Sequence, residues 1–289
     1  METKYAFVIN PNAGVKNKLN IESFIATHFP KTVSYDIIIW KEADDISPII
    51  EQIKNNHYQF IVACGGDGTV NMVASLLVHT KIALGILPLG SGNGLARSNG
   101  IPMDLKKALE LIVIGKMEMI DSGTINGHPF FCTAGIGFDA LIAHKFAEST
   151  KRGFVTYFKT SVREFMKYKP LTYSIHVDGN TIKTPAFLIT VANAGQWGND
   201  VYIAPAAKLN DGLFHVSILK PFPLITFPLF GVKLFSKKAH TFKYLESILG
   251  KKIDIEFENE LPAHYDGEPL VALGKINIDM FPLSLHIIC

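Results

Sequence analysis

QFIVACGGDGTVN, residues 59–71, sets the frame for the rest of the chain. Gln59–Cys64 is an apolar, β-prone run. Gly65-Gly66-Asp67-Gly68-Thr69 breaks it, and helical spacing follows over Val70–Val78. A strand, a glycine turn and a helix in that order form half of a parallel βαβ unit. Glycines let the backbone bend sharply and bring bare N–H groups near an anion. The start of a helix adds partial positive charge. The same stretch read without partners is an ordinary strand–turn–helix, with Asp67 as helix cap.

Outward from it the pattern repeats. Tyr5–Asn10, Ser34–Trp40 and Ile82–Leu87 read as further strands, and Leu19–His28 and Ile46–Asn55 as helices. Asn10-Pro11-Asn12-Ala13-Gly14 follows the first strand, and Gly90-Ser91-Gly92-Asn93-Gly94 follows Ile82–Leu87. Three glycine- and asparagine-rich turns therefore fall at the carboxyl ends of parallel strands, where open α/β sheets bind ligands. Lys16 and Lys18 lie just past the first turn. None of the turns carries the Gly-Lys-Ser/Thr of a Walker A loop or completes a dinucleotide fingerprint.

After about residue 120 the pattern changes to short strands closed by Asn126-Gly127, Asp178-Gly179-Asn180 and Asp211-Gly212, interrupted by a helical stretch over Gly137–Lys167. This predicts an α/β nucleotide-binding domain over 1–120 and a β-sandwich over 121–289, its last segment packing back on the first domain. A length of 289 residues suits two domains.

Composition narrows the function. With 28 basic and 26 acidic residues the net charge is +2, which argues against nucleic acid as a partner. Cys64, Cys132 and Cys289 form no CxxC pair and have no His cluster beside them, so neither zinc nor a disulfide framework is expected. The sequence starts in a strand pattern, and its longest apolar run, Pro221–Val232, is too short and proline-broken to span a bilayer. The expectation is a cytoplasmic protein that touches a membrane surface at most. His144, His176, His240 and His264 lack a ligand partner at metal spacing; only His264, beside Tyr265-Asp266, is singled out. Residues 220–245 combine Phe, Leu and Ile with lysines, as does Lys145–Lys169. Both suit an anionic lipid surface or, equally simply, a solvated basic face.

The motifs taken together resemble the diacylglycerol kinase catalytic family, which includes sphingosine and ceramide kinases and bacterial lipid kinases. The matching segments are NPNAG (Asn10–Gly14), GGDGTVN (Gly65–Asn71), PLGSGNGLAR (Pro88–Arg97), DSGTINGHPFFCTAGIGFDA (Asp121–Ala140), LNDGLF (Leu209–Phe214) and DGE (Asp266–Glu268). The resemblance implies a Rossmann-like domain, a β-sandwich and a nucleotide site in the cleft between them. It implies that Asn10, Pro11, Asn12, Ala13 and Gly14, together with Gly65, Gly66, Asp67, Gly68 and Thr69, hold ATP phosphates. Asn71, Gly90, Ser91, Gly92 and Asn93 add nucleotide contacts. Asp266, Glu268 or Asp67 would be the general base. Mg2+ would sit in the loop of Lys208, Asp211 and Leu213, with Asp211 giving a carboxylate and the other two giving carbonyls. Bacterial members often have a nucleotide-contacting Thr near the end of the second strand, a region that reads Ile38-Ile39-Trp40-Lys41 here. The implied activity is transfer of the γ-phosphoryl group of ATP to a lipid hydroxyl, on diacylglycerol or a sphingoid base. The oligomeric state is left open by the sequence, with a homodimer as the default. An NAD kinase, which shares GGDGT, and a catalytically silent lipid- or nucleotide-binding protein are the rival readings.

Overall fold

The computed structural model describes residues 3–11, 20–40, 46–147, 163–165 and 167–289. The chain forms two compact units, residues 1–120 with 283–289 and residues 121–282.

In the first unit β1 (Lys4–Ile9) lies between β2 (Ser34–Ile39) and β3 (Phe60–Gly65), parallel to both. β4 (Ala83–Pro88) adds to β3 in parallel. The end of the last strand adds to β4, pairing His286 with Ala83 and Ile287 with Leu84. β3 and β4 are buried along nearly their whole length. Such near-continuous apolar runs are what a parallel sheet covered on both faces requires.

The covering helices are α1 (Ile21–His28), α2 (Ser47–Asn55), α3 (Asp67–Leu77), α4 (Gly94–Ser98) and α5 (Leu105–Ile114). Asn20 caps α1 by accepting the Ser23 N–H, and Asp104 caps α5 by accepting the Lys107 N–H. α3 begins at Asp67 with Gly66 as its N-cap, three residues before the Val70 where the helical spacing starts in the sequence. Asp67 caps nothing in its own helix; its side chain is engaged elsewhere, as described below.

The second unit is a β-sandwich. Its strands are β5 (Met117–Ile125), which enters from the first unit, β6 (His128–Phe130), β7 (Thr133–Gly137), β8 (Leu171–Val177), β9 (Asn180–Ala186), β10 (Leu188–Ala192), β11 (Phe214–Leu219), β12 (Leu245–Gly250), β13 (Lys252–Tyr265) and β14 (Glu268–Ile288). β12, β11, β10, β7 and β13 pair antiparallel in that order. β13 serves two neighbours: Ile253–Glu256 pairs with β8, while Ala263–Tyr265 pairs with β7. Between those halves its register against β14 shifts, and Asn259 adopts φ 67. That irregularity lets one strand pass from one layer to the next. Phe130, Ile136, Tyr173, Ile189, Phe214 and Ile276 fill the core so formed.

Asn126-Gly127 and Asp178-Gly179 make left-handed two-residue hairpin turns, with φ between 47 and 87. Asp211-Gly212 instead ends the long loop from β10 to β11. Outside the sandwich, α6 (Phe138–Ala147) and α7 (Phe227–Phe235) cover a second core of Phe138, Phe165, Phe187, Phe230 and Phe242. Among the described residues no helix is long and apolar enough to cross a membrane.

Candidate functional site

In the first unit the turns after β1, β3 and β4 meet at one rim of the sheet. The Asn10 N–H donates to the Cys64 carbonyl at 3.3 Å, and Asn10 Nδ2 donates to Thr69 Oγ1 at 3.2 Å. The β3 and β4 turns touch through bare backbone. A Cβ on Gly90 would lie 2.6 Å from Gly66 Cα, and one on Gly92 would lie 2.5 Å from Asp67 Oδ2. Only glycine allows that approach.

Asp67 joins these two turns. Its Oδ1 accepts the Gly94 N–H at 2.7 Å and its Oδ2 accepts the Asn93 N–H at 2.9 Å. Burial pushes the Asp67 carboxyl above its ordinary value, against the bonds from Gly94 and Asn93 and the charge of Arg97, which pull it down. Asn93 holds a left-handed φ of 51 and closes its own turn, taking the Gly90 N–H and giving Nδ2 to the Gly90 carbonyl. Arg97 Nε donates to the Gly92 carbonyl at 3.0 Å.

The first N–H groups of α3 face the same rim and have no acceptor further back in their helix. Gly65 packs on the Thr69 side chain so closely that a Cβ would overlap it at 2.3 Å. Ser91 is exposed, Pro11 is exposed, and Asn71 is buried with its carbonyl bonded to Ser75 Oγ at 2.8 Å. Asn12, Ala13, Gly14, Lys16, Lys18 and Lys41 lie outside the described residues. Trp40 follows β2, with its Nε1 buried and unbonded.

In the second unit Asp266 and Gly267 form the turn of the β13–β14 hairpin, with φ 48 and 87, and Tyr265 pairs with Glu268. The Asp266 carboxylate does more than turn the chain. It accepts the N–H groups of Phe131, Cys132 and Thr133 at 2.9, 2.8 and 3.0 Å, while its own N–H donates to the Thr133 carbonyl at 2.7 Å. Glu268, half-buried, stands two residues on. Burial raises the Tyr265 phenol, and the charges of Glu268 and Asp266 raise it further.

Two residues before Asp266, His264 is buried with its Nε2 3.3 Å from Asp139 Oδ2. Thr190 Oγ1 donates to that same oxygen at 2.7 Å, and the Ala140 N–H donates to Asp139 Oδ1. The sequence reading noted His264 but missed Asp139 and Thr190, which come from α6 and β10. The available signal was a lone acid in an otherwise apolar stretch, Ala134–Ala143. His144 is satisfied by the Ala263 and Leu270 carbonyls.

The Lys208–Leu213 loop is tied back by Asp121. Its Oδ2 accepts the Gly212 N–H at 2.7 Å, and its N–H donates to the Leu209 carbonyl. Asp211 Oδ1 accepts the Leu213 N–H at 3.1 Å. Among the described residues no cluster of three acidic, His or Cys side chains gathers for a metal. A cation in this loop would therefore rely on one carboxylate, main-chain carbonyls and water, a donor set that suits Mg2+.

Residues 4–125 match the diacylglycerol kinase catalytic domain, and residues 132–289 match the YegS C-terminal NAD kinase beta sandwich-like domain. The chain belongs to the YegS-like lipid kinases of the diacylglycerol kinase catalytic family. A relative named "Probable lipid kinase YegS-like" from Klebsiella pneumoniae is 33% identical, over 86% of this chain and 84% of its own. Among solved structures, a candidate diacylglycerol kinase from Bacillus anthracis superposes with TM-score 0.82 at 24% identity, covering 99% of this chain and 95% of its own. An NAD kinase from Archaeoglobus fulgidus in complex with ATP reaches 0.53 at 15% identity, covering 99% of this chain and 94% of its own. These two likenesses concern the fold. Within this lipid kinase family member, the first matched segment covers most of residues 1–120, and the second covers most of the second unit together with residues 283–289 of the first.

Proposed function

We propose that this family member transfers the γ-phosphoryl group of ATP to the hydroxyl of a membrane lipid, of the diacylglycerol or sphingoid class. The observation that carries the reading is the Asp67 clamp. A half-buried carboxylate joins the two glycine turns at the carboxyl rim of a parallel sheet, where the N-terminus of α3 presents its first N–H groups to an anion.

In this reading the backbone of Gly65–Thr69, with Asn10 and Pro11 and residues 12–14 beyond them, holds the phosphates. Gly90–Asn93, with Asn71, contacts the rest of the nucleotide. The lipid O–P bond forms as the bond from the γ-phosphorus to ADP breaks, and the hydroxyl proton passes to a carboxylate. Glu268 is the favoured acceptor, because three backbone N–H groups already occupy the Asp266 carboxylate. Asp67 serves the phosphate turns. Mg2+ would neutralise charge developing on the phosphoryl oxygens. A second, structural Mg2+ would take Asp211 and the carbonyls of Lys208 and Leu213.

The test is label transfer from γ-labelled ATP to a panel of diacylglycerol, monoacylglycerol, phosphatidylglycerol, sphingosine and NAD. Label on a lipid supports the proposal. Label on NAD alone would turn it into an NAD kinase, and none at all would leave a silent binding protein.

A further inference from the structure

Residues 220–245 contain five lysines, Lys220, Lys233, Lys237, Lys238 and Lys243, and no acidic side chain. A 3-10 turn, Leu224–Thr226, runs directly into α7. One side of this rod is ordinary core: Phe230 and Leu234 are buried, and Phe230 packs on Phe222 and Phe242. The other side is also apolar but faces water. Leu224, Ile225, Leu229, Val232 and Phe235 are 50–89% exposed. At about 100° per residue, positions 225, 229 and 232 stack into one stripe, with 224 and 235 along its edge.

Single exposed hydrophobic residues are ordinary, whereas five on one short element mark a contact surface. Lys220, ahead of the helix, is paired with Glu246, and the other four lysines gather at the end of the helix. Lys237 Nζ lies 4.4 Å above the Tyr202 ring, Lys243 Nζ lies 4.9 Å above Tyr244, Lys233 reaches Thr241, and Lys238 points into solvent.

We propose that this face is a docking surface for an anionic lipid bilayer, with α7 lying in the plane of the interface. Ile225, Leu229 and Val232 enter the boundary between headgroups and acyl chains, while the lysines meet the headgroup charge. The charge pattern selects this occupant. A second copy of the chain would set lysine against lysine, and a nucleic acid would leave the apolar stripe wet. The proposal goes beyond the kinase reading and needs no nucleotide.

Co-sedimentation tests it, with vesicles of equal phosphatidylglycerol and phosphatidylcholine against phosphatidylcholine alone. The chain should bind the anionic vesicles and be released by salt. Ile225→Ser/Leu229→Ser and Lys237→Glu/Lys238→Glu should each weaken binding about tenfold or more, with at most a small drop in melting temperature because none of the four side chains is buried. Failure of the chain to sediment, or binding by both variants at the original strength, would overturn the proposal. So would a concentration-dependent dimer that the variants abolish while vesicle binding persists, since the face would then join two copies. On a short-chain, water-soluble acceptor both variants should match the parent, while transfer to vesicle-embedded acceptor falls. Lost transfer with both acceptors would count against this surface as a separate docking element. An inactive parent that still binds vesicles would refute the kinase reading alone.

Discussion

Asp67 Oδ1 accepts the Gly94 N–H at 2.7 Å across 27 residues of chain. One half-buried carboxylate thereby sets the spacing of two phosphate-candidate turns, whose glycines leave no room for adjustment. Replacing it with Asn puts an amide NH2 opposite one of two backbone donors. Asp67→Asn should lower phosphoryl transfer by about two orders of magnitude or more, since each misplaced donor weakens charge stabilisation. Turnover near the parental rate in a steady-state assay would contradict this role.

The same substitution carries a pH signature. The folded-state pKa of Asp67 lies above its unfolded value, chiefly through burial. The native state therefore binds more protons than the unfolded state from about pH 4 up to the raised value. Stability from this group is fully present below the unfolded pKa and lost as pH rises through the folded one. Denaturant titrations across pH 4–7 should show the parent losing stability relative to Asp67→Asn as pH increases. A pH-independent difference would refute the assignment.

Gly90 and Gly231 form a matched pair. A Cβ on Gly90 would meet Gly66 Cα at 2.6 Å, backbone against backbone, whereas one on Gly231 in α7 meets nothing within 4 Å. Gly90→Ala should destabilise by about 1–3 kcal/mol through overpacking and weaken nucleotide binding. Gly231→Ala should stabilise by roughly 0.5–1 kcal/mol through helix propensity. Thermal melts and ATP titration by calorimetry decide both.

Asp266 and Glu268 should separate by kind of defect. Removing the Asp266 carboxylate orphans three N–H groups, so Asp266→Ala should lose about 2–4 kcal/mol of stability as well as activity. Glu268→Gln should lower the melting temperature less than Asp266→Ala does and lose kcat by about a hundredfold or more. The opposite pattern would return the base role to Asp266.

The Asp139–His264–Thr190 cluster is buried on every side. His264→Ala should cost about 2–4 kcal/mol, because it strips a partner from a buried carboxylate. Thr190→Val should cost about 1–2 kcal/mol. Chemical denaturation of both variants gives the comparison, and values near zero for both would mean that the cluster is solvated.

Much of this architecture was legible because parallel strands read as apolar runs ended by glycine turns, and hairpins announce themselves by Asn-Gly and Asp-Gly. α5 went unread although Asp104 and the apolar positions 105, 108, 109 and 112 signal it. The start of α3 was misplaced because Gly66 caps with backbone alone. The partners of Asp67 and Asp266 were out of reach for a deeper reason. Hydrogen bonds spanning 27 and 135 residues depend on tertiary packing, and no local pattern encodes them.

The pairing of His286 and Ile287 with β4 bears on the order of events during synthesis. A ribosome releases the first 120 residues long before residues 283–289, yet the earlier sheet keeps β4 as an open edge until that late segment arrives. An unpaired, wholly apolar edge is a template for mispairing. Expression of residues 1–120 alone should therefore give aggregation-prone material, and supplying residues 283–289 by circular permutation should restore it.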